Sequence, residues 1–83
     1  MNRKGNRKQY VEVIATHRID GTVRPQKITF AAGPIYDITE ARPPNRTITP
    51  RTGESALAYP IRVGKKETTL YEDGGRWFVM MRE

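Results

Sequence analysis

The sequence contains no cysteine. That excludes a disulfide framework and any thiolate metal site. His17 is the one histidine, so no cysteine–histidine zinc cluster can be assembled. Long apolar runs are missing as well. The longest, Trp77-Phe78-Val79-Met80-Met81, falls far short of the ~18 residues of a membrane-spanning helix. The N-terminal Met-Asn-Arg-Lys-Gly-Asn-Arg-Lys is basic but has no apolar stretch behind its charges, unlike a secretory signal. Nowhere do apolar residues recur at three- and four-residue spacing for more than one turn, so no long helix is expected. The expectation is a single cytoplasmic domain without membrane, metal or cofactor. Its 83 residues, 36% apolar, suffice for one thin core.

The net charge of +6 suggests nucleic acid until it is partitioned. Arg3, Lys4, Arg7 and Lys8 place four positive charges in the first eight residues. The rest of the chain is nearly balanced. Residues 1–8 therefore read as a flexible basic tail, and 9–83 as the folded domain. A second local excess, Arg42, Arg46 and Arg51 against Glu54, falls between 42 and 55.

Period-two alternation organises most of the domain. Gln9 to Thr16 and Lys27 to Ala32 read as strands, separated by the turn dipeptide Asp20-Gly21 and by Pro25. Ile35 to Ala41 follow as a third. From Arg42 to Ser55 the pattern stops, three of the six prolines occur, and a long loop is expected. Leu57 to Val63 resume the alternation, with Pro60 suggesting an edge or a bulge. Gly64-Lys65 marks a hairpin, Lys66 to Glu72 a fifth strand, Asp73-Gly74-Gly75 a stronger hairpin, and Arg76 to Arg82 a sixth strand.

Two three-stranded meanders would each expose an apolar face. Packing one on the other predicts an all-β fold of six short antiparallel strands, closed as a small SH3-like barrel or sandwich. The expected interior is Val11, Val13, Ile28, Phe30, Tyr36, Ile38, Leu57, Tyr59, Ile61, Leu70, Trp77 and Val79. Adjacent residues of a strand point to opposite faces. With Trp77 inward, Phe78 is expected outside beside Met80, as a contact patch, unless a loop or the N-terminal segment covers it.

No catalytic constellation emerges. Gly64-Lys65-Lys66-Glu67-Thr68 lacks the upstream glycine and following helix of a phosphate loop. Glu72-Asp73 sits at a hairpin tip, where both carboxylates would be hydrated and no pKa separation for acid–base work is expected. The chain reads as a non-enzymatic binding module, a monomer or weak oligomer. The first reading is a protein partner meeting Phe78, Met80 and the long loop. The alternative is weak, salt-sensitive binding of single-stranded DNA or RNA through Arg42, Arg46, Arg51, Lys65 and Lys66. One Trp, four Tyr and two Phe leave few aromatics to spare, and no stripe interleaves them with basic residues.

The succession Val11-Glu-Val13, Asp20-Gly21, Pro25-Gln-Lys-Ile28, Gly33-Pro-Ile-Tyr36-Asp-Ile38, Gly64-Lys65-Lys66-Glu67, Leu70-Tyr71 and Trp77-Phe78-Val79 resembles a family of short bacterial all-β proteins of unknown function. The resemblance spans residues 10 to 80. It rests on turn and core positions, so it implies a fold and assigns no functional residue. This chain has Phe30 where that pattern often has tryptophan.

Overall fold

A computed structural model of the protein describes residues 6–31, 33–48 and 53–82. Among these the chain is all β, with no helix. The strands are β1 (Asn6–His17), β2 (Val23–Phe30), β3 (Ile35–Asp37), β4 (Glu40–Ala41), β5 (Asn45–Ile48), β6 (Ser55–Val63), β7 (Lys66–Asp73) and β8 (Arg76–Arg82). Every pairing is antiparallel. The sheet runs β3-β2-β1-β8-β7-β6-β4, and β5 also pairs with β6.

The two expected meanders, β1 to β3 and β6 to β8, are present and share one strand boundary. Residues 6–11 of β1 pair with β8, and residues 11–17 pair with β2. The two ends of the sheet path, β3 and β4, are separated only by Ile38 and Thr39. The Ile38 N–H donates to the Gln26 carbonyl in β2 (2.8 Å), and the Thr39 N–H donates to the Arg62 carbonyl in β6 (2.9 Å). One stretch of chain thus touches both edges and curls the sheet into a half-barrel.

The hairpin signals hold. Asp73 faces Arg76 across Gly74-Gly75, whose φ angles of 61° and 90° are both positive, as a two-residue turn matched to strand twist requires. Val63 likewise faces Lys66 across Gly64-Lys65.

Three boundaries differ from the sequence reading. The strand count is eight rather than six, because the stretch from Ile35 to Ala41 is split and the expected 42–55 loop contains β5. Asn45 to Ile48 pair with Ala58 to Ser55. Prolines on both sides hide so short a strand. The register slips between Ala41↔Ile61 and Asn45↔Ala58, opposite Pro60. Arg42 donates its N–H to the Pro60 carbonyl (2.9 Å). The two backbone groups of a strand residue point the same way, so the missing N–H of Pro60 faces Arg42-Pro43-Pro44, between β4 and β5, and removes no bond to β7. Next, β2 starts at Val23 and takes in the buried Pro25, at a bulge where pairing passes from Ile14↔Lys27 to Ala15↔Pro25. Finally, residues 6–8 of the expected tail are strand, paired with Arg82, Met81 and Met80; residues 1–5 lie outside the described residues.

The interior is built from both meanders. Val11, Ile28 and Ile38 meet Tyr59, Ile61, Leu70 and Val79, and Val13, Phe30, Ala41, Leu57, Val63 and Trp77 pack around them half-buried. Tyr36 is the exception to the expected set. It lies opposite Ile28 but on the short edge strand β3, so it stays 44% exposed with Phe30 against it edge-on at 5.7 Å. Leu70 is fully buried at the centre. Leu70→Ala is expected to cost about 3 kcal/mol and lower the midpoint of a thermal unfolding curve by roughly 10–20 °C. A shift of only a degree or two would mean that the interior does not close over this residue.

Candidate functional site

The basic residues expected to form one patch are spread out. Arg46 lies opposite Leu57, and Lys66 opposite Val63. Six residues along β6 separate those two rows by about 20 Å. Arg42 lies between, and Lys65 sits in the turn beside Lys66. All four are exposed. Arg51 lies outside the described residues. The neighbouring Arg62 is already engaged, with Glu67 at 2.5 Å and Glu40 at 3.5 Å across the β4-β6-β7 rows.

Phe78 corrects the expectation of an exposed aromatic patch: it is wholly buried, and Met80 is half-buried. It does point away from the main core, opposite Tyr10 on β1 and Tyr71 on β7, but the outer face has its own cover. Tyr71 stacks on it with centroids 5.2 Å apart and planes at 12°. Tyr10 meets it edge-on at 5.6 Å. The Lys8 ammonium stands 4.7 Å from the Phe78 ring centre and 5.9 Å from that of Tyr10. Lys8 Nζ also bonds the Glu54 carboxylate at 2.5 Å. Glu54 immediately precedes β6, so this contact reaches across β7 and β8 and ties the start of β6 to β1 beside the aromatic cluster. The small Ala56 and Ala58 lie beneath it on that face.

Cations and aromatics are therefore interleaved in space although not in sequence. Arg76 adds its guanidinium over Tyr10 at 4.4 Å. The adjoining cleft, about 320 Å³, is lined by Lys8, Tyr10, Glu54, Asp73 and Arg76. Its two cations are matched by two carboxylates and occupied with ring faces, which leaves little net field for a phosphate. The hydrogen bond to Glu54 raises the Lys8 pKa above its ordinary value, and the same bond with the Lys8 charge lowers that of Glu54.

A third feature is formed by backbone. The β1–β8 ladder ends at Val11↔Trp77, while β1 continues to His17. A notch of about 420 Å³ opens where they part, lined by Tyr10, Val11, Glu12, Val13, Gly75, Arg76 and Trp77. Successive strand residues direct their backbone groups to opposite neighbours. Arg18 donates to Thr22 across the β1–β2 connection (2.8 Å), so the even-numbered residues of β1 face β2. Val13, Ala15 and His17 face the other way, where no strand of the described residues pairs with them. Ile14, on the outer face of this projecting half, is 60% exposed. Sequence alternation marked the strand here but could not reveal that its neighbour stops short.

Among the described residues, no group of three His, Cys, Asp or Glu side chains could hold a metal ion. No helix of the described residues is long and apolar enough to cross a membrane.

Two tests follow from the Lys8–Glu54 contact. Glu54 has a depressed pKa, so its share of stability is present above its ordinary value of 4.5 and is lost as pH falls through the lower folded value. Carboxyl-detected NMR is expected to show Glu54 titrating below 4.5, and Lys8→Met is expected to raise it toward that value, with the Arg76 charge still acting on it. Phe78→Ser is expected to cost about 3–5 kcal/mol and to melt the outer cluster as a whole, read as loss of dispersed Tyr10 and Tyr71 ring signals. Unchanged ring signals in that variant would contradict the buried placement.

No protein family model, curated protein or solved structure matches this chain.

Proposed function

We propose that this chain is a small non-enzymatic binding module that takes an extended protein segment as an added strand along the open side of β1. The observation that carries the reading is the run Val13 to His17, whose outward N–H and C=O groups have no strand beside them. Such an edge supplies main-chain hydrogen bonds to any extended chain, while flanking side chains select among sequences. Here selection would come from the exposed Ile14 on one face and from half-buried Val13, Ala15 and Trp77 on the other.

The other open edges differ from it. β7 before Tyr71 and β8 after Phe78 no longer pair with each other, and the β7 side there begins with the charged Lys66 and Glu67, which discourage pairing. β5 has four residues, with Pro43-Pro44 before it and Pro50 after. β3 has three and follows Pro34. Proline and very short edge strands both discourage pairing. Val13 to His17 contains no proline, glycine or lysine.

The nucleic-acid alternative has less support. Its exposed cations are strung along β6, and the place where cations meet aromatic faces among the described residues is balanced by Glu54 and Asp73.

Selecting a random heptapeptide display library on the immobilised protein tests the reading. Selected peptides are expected to protect the Val13, Ala15 and His17 amides from hydrogen exchange. Ala15→Pro, which removes an outward N–H and no bond to β2, is expected to weaken them at least about tenfold. Peptides that bind the proline variant equally, or protection confined to β5 or β6, would overturn it. A salt-sensitive response of the Arg46 and Lys66 signals to oligothymidylate would favour the nucleic-acid reading instead.

A further inference from the structure

We infer that the segment seated on the open edge of β1 is the same edge of a second copy of this chain, in a two-fold antiparallel pairing centred on Ala15. The inference rests on the strand-addition reading above and names its partner.

Self-complementarity of the sequence carries it. A two-fold axis at Ala15 opposes residues whose numbers sum to 30. Ala15 then meets the partner's Ala15, and Val13 meets the partner's His17. These are the residues whose backbone groups face outward, so each such pair exchanges both of its hydrogen bonds. The pairs between them, Ile14 with the partner's Thr16 and Glu12 with the partner's Arg18, fall at the closer, non-hydrogen-bonded positions, where side chains interact most strongly. Both ends of the interface therefore receive an opposite-charge pair. No other register does this. Moving the axis to Ile14 sets Glu12 against the partner's Thr16 and leaves Arg18 facing the partner's uncharged Tyr10.

The surroundings agree with this register. Small Ala15 on the axis lets the two backbones approach. Glu12 borders the notch left where β8 turns away at Gly75, which provides room for the partner's Arg18. Glu12 and Arg18 are both exposed; within the described residues neither makes an ion-pair contact, and Arg18 has the Asp20 carboxylate near it only in the turn that follows β1. Ile14, 60% exposed in one copy, would be partly covered in the pair. A closed two-fold contact of this kind uses the same patch on both subunits. Its short length makes it weak and concentration-dependent.

Sedimentation equilibrium up to about 1 mM protein tests it. The expected result is a reversible rise toward twice the 9.5 kDa chain mass. Glu12→Arg and Arg18→Glu should each weaken association about tenfold, by placing like charges opposite one another at both ends. The double charge reversal should restore it. Both positions are exposed, so far-UV circular dichroism should be unchanged in all three variants. The Ala15 amide should become protected from exchange only as the dimer forms. A chain that stays monomeric at about 1 mM, or a dimer indifferent to both reversals, overturns self-pairing. If library peptides still protect Val13 and Ala15 in that case, strand addition stands with a foreign partner. If they do not, both readings fall.

Discussion

Val11 pairs with Trp77 on one side and with Phe30 on the other, and the half-barrel depends on that double engagement. It is the one residue of β1 that belongs to both ladders. Up to it the strand completes the β6–β8 meander; beyond it the strand begins the β1–β3 meander. Its side chain turns inward and is nearly buried, so the two sheets meet where their apolar faces also meet. Burial of apolar area is the dominant favourable term in folding a domain this small, and neither meander could hide its face alone. The return path obeys the same constraint. The chain from Ile35 to Ala41 leaves β2, passes through Ile38 in the core and joins β6, so the second closure is also tied to a buried aliphatic residue.

The same geometry explains why the binding surface is an edge. A strand that serves two sheets in succession is longer than either needs. β1 continues beyond the end of β8, and its outward backbone groups are left without a strand. β3 and β5, the short edge strands, instead have proline beside them. The aromatic cluster on the outer face is closed rather than open. Tyr10, Tyr71 and Phe78 fill it, and the Lys8–Glu54 contact ties β1 to the start of β6 beside it.

Much of the architecture was legible in the residues. Alternation located the long strands, and Gly64 and the Gly74-Gly75 pair located the two tight hairpins, because a positive φ favours glycine and an inward face needs period two. The division of Trp77 and Phe78 between two faces was also readable. What covers the second face was not. It depends on Lys8, Tyr10 and Glu54, which are remote in sequence from Phe78 and come near only after β1 has paired with β8. β5 was hidden because four residues between prolines carry too little pattern. The open edge was invisible for a different reason: alternation describes a strand's faces and says nothing about which neighbours run its full length.

The pairing of residues 6–11 with 77–82 joins stretches that are far apart along the polypeptide. The β6–β7 and β7–β8 hairpins can form from local contacts as they leave the ribosome. β1 must wait for β8 to be synthesised before it gains its first neighbour on that side. Closing so long a loop is entropically unfavourable until the aliphatic interior assembles, so the barrel forms late and slowly for its size. During that interval β1 depends on β2 alone to shield its Val-Ile-Ala stretch from nascent neighbours.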